Sequence, residues 1–103
     1  MTYNVIVTQA VEDQLDAILD HVLRQFKNKQ AVRAILRDVE KTYEKLTYMA
    51  DTLAFCNDPY LAAKKYRKCM LETHNYLLLY QIQGNKVYIN GIFHMLEDYP
   101  SKL

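Results

Sequence analysis

Lys64-Lys65-Tyr66-Arg67-Lys68-Cys69-Met70-Leu71, Asn75-Tyr76-Leu77-Leu78-Leu79-Tyr80-Gln81-Ile82 and Lys86-Val87-Tyr88-Ile89-Asn90-Gly91-Ile92-Phe93-His94 follow one another with very short connections. The second and third runs are dominated by aromatic, β-branched and other apolar residues, which suit a pleated, buried surface. Glu72-Thr73-His74-Asn75 reads as a turn between the first two runs. Gln83-Gly84-Asn85-Lys86 reads as a hairpin turn, because Gly84 and Asn85 can both take positive φ. Three strands joined this closely predict a compact antiparallel sheet. A basic cluster opens the set, and His94 closes it.

Upstream, Tyr3–Thr8 alternates Tyr3, Val5 and Val7 with Asn4, Ile6 and Thr8, which predicts a short strand. Val11, Leu15, Ile18, Leu19, Val22 and Phe26 then recur at helical spacing and form one apolar stripe. Thr8 is placed to cap this helix, which should end near Lys27-Asn28-Lys29. Val32, Ile35, Leu36, Val39, Tyr43 and Leu46 carry a second helical stripe, with Asn28 as its cap. Arg33, Arg37, Glu40, Lys41 and Glu44 fall mostly between the apolar positions and mark a solvated face. Residues 51–63 are expected to be irregular, with Asp58-Pro59 as a turn signal. The order β-α-α-β-β-β predicts an α+β domain, residues 1–103. An antiparallel αα-hairpin packs on one face of a twisted, mainly antiparallel sheet.

Composition narrows the function classes. The 103 residues suit a single domain, and 50% hydrophobic content with two Gly and two Pro supports a folded core. A formal net charge of +1 leaves no global field for nucleic acid, so any such contact must come from local clusters. No run approaches the roughly 18 apolar residues of a membrane span. The first residues lack the pattern of an export signal, so the cytoplasm is the expected location. Cys56 and Cys69 match no metal or redox motif and read as small apolar side chains kept reduced. His21, His74 and His94 are too scattered for a metal site, and two glycines cannot build a phosphate loop. No cofactor is expected.

The motifs of the C-terminal half carry a family resemblance. Asp58-Pro59-Tyr60-Leu61-Ala62, Tyr66-Arg67-Lys68, Asn75–Tyr80, Val87-Tyr88-Ile89 and Ile92-Phe93-His94 with Asp98-Tyr99 together resemble the RelE/ParE superfamily of toxins. These are the toxin halves of bacterial type II toxin–antitoxin modules. The early strand and the helical hairpin fit the same pattern. The resemblance implies a small toxin neutralised by a cognate antitoxin that wraps it. RelE-like members cleave mRNA on the ribosome, whereas ParE-like members inhibit DNA gyrase. Two arginines of the family's ending are replaced here, by Gly91 and Leu96, and Met95 stands where a glycine usually follows the histidine.

Cleavage of RNA through its 2′-hydroxyl needs a base, an acid and cations that stabilise charge on phosphorus. His94 could serve as base or acid. Arg67 could hold phosphate oxygens bidentately, and Tyr99 could donate a proton or stack on a base. Lys64, Lys65 and Lys68 are the candidate contacts for a phosphate or target. In a regular strand Lys65 would share a face with Arg67, and Lys64 and Lys68 would lie opposite. The bland alternatives are a structural His, a packing Tyr and lysines that protect a sheet edge. The missing arginines, and Glu97 and Asp98 beside His94, count against a nuclease.

Three readings follow: a ParE-like toxin that binds gyrase, a RelE-like endoribonuclease, and a member that only binds its antitoxin. Tyr76, Leu78 and Tyr80 on one face of the central strand, and Leu77 and Leu79 on the other, are too apolar for one helical layer to cover. The expectation is that this leaves an apolar surface for the antitoxin.

Overall fold

Two residues, Lys27 and Asn28, separate two long helices in a computed structural model that describes residues 2–103. The helices are α1 (Gln9–Phe26) and α2 (Lys29–Met49). Lys27 takes a left-handed conformation, φ 49°, and its N–H closes on the Leu23 carbonyl at 2.8 Å. That ends α1 as a C-terminal cap does. Asn28 then accepts the Gln30 N–H at 2.9 Å and starts α2. The link is too short for anything but an antiparallel hairpin. Thr8 precedes α1 as expected, but its hydroxyl donates to the Ile89 carbonyl at 2.8 Å and ties the helix start to the sheet.

The strands are β1 (Asn4–Val7), β2 (Arg67–Met70), β3 (Tyr76–Gln83) and β4 (Lys86–His94). They form one sheet in the order β1-β4-β3-β2. The last three make an antiparallel meander through the expected turns, with Gly84 at φ +61° in the second. β1 pairs in parallel with β4, Asn4 opposite Lys86 and Val7 opposite Ile89. The sheet is therefore mixed, and the fold is the α+β arrangement read from the chain.

One irregularity sets which face each late residue occupies. Leu79 pairs with Gly91 and Tyr80 with Ile89, so Asn90 is the extra residue of a β-bulge. Ile89 and Ile92, three apart, consequently reach the same cluster, while Phe93 turns to the other face. Phe93 folds its ring back over Gly91. A Cβ at Gly91 would meet that ring at 2.3 Å, so no side chain fits there without moving a buried aromatic.

The hairpin covers one face. Val11, Val22, Ile35, Val39 and Leu46 of the helices pack on Cys69, Leu78, Tyr80, Val87, Ile89 and Ile92. The Tyr80 hydroxyl donates to the Ala50 carbonyl at 2.7 Å and fastens β3 to the turn after α2.

The opposite face differs from expectation. Residues 51–63 are not irregular throughout: Pro59–Ala63 form a short helix, α3, after a 3-10 turn at Ala50–Thr52. Asp58-Pro59 is a helix start, because the Asp58 carboxylate accepts the Leu61 N–H at 3.0 Å and Pro59 takes the first helical position. Leu61 and Tyr66 join Cys56, Leu77, Leu79 and Phe93 in a second buried cluster, and Tyr99 and Leu103 pack against it from a C-terminal 3-10 turn. The apolar surface expected to remain open on β3 is thus closed by the chain's own α3 and tail.

Candidate functional site

The groups proposed for cleavage lie at different corners of the sheet. His94 pairs across to Tyr76, and Arg67 pairs to Tyr80 from the opposite side of β3. Four residues along the strand and two strand spacings across put their Cα atoms roughly 16 Å apart. One phosphate cannot meet both.

Each group also has an internal partner. The Arg67 guanidinium lies over the Phe55 ring, 4.0 Å from its centroid. It donates to the carbonyls of Leu53 and Asp51. These contacts pin the segment after α2 to the edge of β2. Tyr99 stacks on Phe93 with ring centroids 6.0 Å apart and helps close the second face.

The lysines do not all stand on a strand. β2 begins at Arg67, and Lys64 and Lys65 form the turn that follows α3. Lys65 is left-handed, φ 62°, and exposed. The Lys64 ammonium donates to the Tyr60 hydroxyl at 2.6 Å and lies 4.4 Å from that ring's centroid. The hydrogen bond to Tyr60 pushes the Lys64 pKa upward. Lys68 alone is within β2, paired with Leu79 and half-buried. Arg67 pairs with Tyr80 and so faces the helices, while Lys68 faces the second cluster.

His94 is part of a tightly bonded turn. Its ring sits edge-on to Tyr76 at 5.4 Å, and Nδ1 accepts the Leu96 N–H at 3.2 Å. A backbone N–H can only donate, so the neutral ring carries its proton on Nε2. The His94 N–H donates to the Glu97 carboxylate at 2.9 Å, and the Glu97 N–H returns to the His94 carbonyl at 2.9 Å. Lys102 completes the turn with a 2.7 Å ion pair to Glu97. The hydrogen bond from Lys102 leads the effects that hold the Glu97 carboxylate below its ordinary pKa. The Nε2–H is left as a donor, but Glu97 and Asp98 stand beside it where phosphate would need cations.

One buried network escaped the reading of the sequence. Asp38, on the sheet-facing side of α2, is only 4% exposed. Its carboxylate accepts from Glu72 N–H (3.2 Å), Thr73 N–H (3.1 Å), Thr73 Oγ1 (2.9 Å) and His74 Nδ1 (2.7 Å). Burial alone would raise its pKa, but the donors led by His74 outweigh burial and the net shift is downward. The signal was its place: Asp38 lies three residues after Ile35 and four before Thr42, inside the buried stripe. The network holds the β2–β3 turn against the hairpin and serves no visible chemistry. Among the described residues, no group of three or more His, Cys, Asp or Glu is placed to hold a metal ion.

Comparison with known proteins decides the lineage of this arrangement. Residues 5–99 match the family model for the ParE toxin of the type II toxin–antitoxin system parDE. The chain belongs to the ParE toxin family. A solved structure, described as the chromosomal ParDE toxin–antitoxin system from P. aeruginosa, superposes with a TM-score of 0.73. It is 21% identical, and the match covers 90% of this chain and 96% of that one. At that identity the likeness establishes the fold. No curated protein matches the chain. As a ParE-family member the chain is a type II toxin component.

Proposed function

We propose that this ParE-family chain arrests growth by binding DNA gyrase and not by cutting RNA. The observation that carries the reading is the roughly 16 Å between His94 and Arg67, given the strand register and spacing. Cleavage would need base, acid and cation around one phosphate. Arg67 is engaged with the carbonyls of Leu53 and Asp51, and Tyr99 with Phe93. The ParE-like resemblance, which implies gyrase inhibition, supports gyrase as the target, and the near-neutral charge suits a protein better than ribosomal RNA. The cytoplasm is where such a target lies. A cognate antitoxin is the second partner, in keeping with the family and with the ParDE description of the structural relative. Because α3 and the tail already cover the second face, the antitoxin binds elsewhere or displaces them.

The test pairs two assays on purified protein with induction in cells. The expected outcome is inhibition of gyrase supercoiling, arrested growth and no ribosome-dependent cutting of mRNA. Cuts that disappear in His94→Ala and Arg67→Ala would overturn the reading in favour of a ribonuclease. Normal growth with a folded protein would leave antitoxin binding as the remaining role.

A further inference from the structure

Leu96 is 90% exposed, the most exposed large apolar side chain in the molecule among the described residues, and Met95 beside it is 38% exposed. Exposed leucines are common on loose loops, where they mean little. This one is held on a turn with unusually complete bonding. Met95 N–H donates to the Asn75 carbonyl at 3.0 Å, Leu96 N–H to His94 Nδ1 at 3.2 Å, and Glu97 N–H to the His94 carbonyl at 2.9 Å. The Glu97 carboxylate takes the His94 N–H on one oxygen and Lys102 on the other. Three successive amides are thus satisfied while the Leu96 side chain is left in water.

We infer that the Met95–Leu96 tip is the apolar anchor by which the chain enters a preformed pocket on its protein target. The inference rests on the gyrase-binding reading above. Shape and charge select the occupant. A convex, rigid tip needs a concave, folded partner, whereas a wrapping segment needs a groove. Asp98 follows the tip, with Glu97 already paired to Lys102, and exposed Asp13 and Asp16 flank Gln14, whose side chain accepts the Ile92 N–H on the adjoining strand. This surrounding repels phosphates and suits a pocket with a cationic rim. Fixing the turn in advance removes part of the ordering cost of association. Here His94 is a positioning residue, acting through the Leu96 amide.

The test compares the wild-type chain with Leu96→Ser and Leu96→Met in gyrase supercoiling inhibition, with thermal melting as the fold control. Full burial of a leucine side chain corresponds to about tenfold or more in binding. Leu96→Ser should therefore raise the inhibitory concentration by at least about tenfold, with Leu96→Met near wild type and melting unchanged in both. Equal inhibition by wild type and Leu96→Ser would overturn the anchor and leave the gyrase reading standing. If the wild type does not inhibit gyrase, that reading falls, and growth arrest decides the anchor. Arrest relieved by Leu96→Ser supports the anchor on another protein, and arrest unaffected by it overturns the anchor. A wild type with neither activity overturns both.

Discussion

Leu78 and Leu79 are neighbours on β3, and both are fully buried. Leu78 lies under two helices of 18 and 21 residues. Leu79 lies under a five-residue helix and a tail of one 3-10 turn. The first cover is a self-contained unit with its own caps and a continuous stripe. The second is assembled from two short pieces, neither of which could be helical alone. They are linked by the Tyr60 hydroxyl, which donates to the Leu103 carbonyl at 3.1 Å, and the Phe93–Tyr99 stack ties the tail to β4. Equal burial therefore does not mean equal resistance to opening. The second face is where local unfolding should begin.

The contrast can be tested by degrees. Leu46→Ala, fully buried in the last turn of α2, should cost about 3–5 kcal/mol in urea unfolding. It should lower protection from hydrogen exchange throughout the sheet. Leu61→Ala removes the one fully buried anchor of α3 and should cost about 2–3 kcal/mol. Its exchange losses should concentrate on the α3 and tail amides, with β4 and the hairpin protected. Equal losses spread over the whole molecule would show that both faces belong to one cooperative unit.

Asp38→Ala comes next, at about 2 kcal/mol, because it strands four donors at the β2–β3 turn. Its sign with pH is fixed. Asp38 has a lower pKa in the folded protein than when unfolded, so its contribution is complete above about pH 4, the unfolded value. That contribution is lost as pH falls through the folded value. Unfolding measured between neutral and acid pH should show a steeper loss for wild type than for Asp38→Asn. The smallest effect belongs to Lys102→Gln, which removes an exposed ion pair with Glu97 and should cost under about 1 kcal/mol. A larger loss there would mean that the tail is bound more firmly than its few contacts indicate.

The helical face was legible in the sequence because its signals are long. The stripes of α1 and α2 repeat over several turns, Asn28 caps where an Asn should, and Gly84 turns where a Gly is needed. The second face was not, for physical reasons. Asp58-Pro59 begins α3 but reads equally as a turn, and five residues are too few to display a period. The bulge at Asn90 shifts Ile92 and Phe93 by one position, and no simple alternation foretells it. The basic segment misled for a related reason. Lys64 and Lys65 read as strand, whereas α3 extends to Ala63 and Lys65 turns the chain at positive φ.

The candidate site could be read as residue types only, and not as a placement. His94, Arg67 and Tyr99 were identified as groups with usable chemistry, but distance across the sheet depends on register. Gly91 has a reading only in three dimensions. Phe93 occupies the space that any side chain at this position would need, the arginine expected from the resemblance included. Leu96 is the reverse case, since nothing crowds it.

The parallel pairing of β1 with β4 has a consequence in time. Asn4 waits for Lys86, and Val7 for Ile89. At ribosomal speeds of about 5–20 residues per second, those partners are made roughly 4–16 s apart. The helical hairpin can form in the interval, but the first strand has no neighbour to join until β4 has been made. A chain abandoned before β4 therefore ends as an unfinished sheet without its His94–Asp98 turn, and the toxin's sheet closes only once that last strand is made.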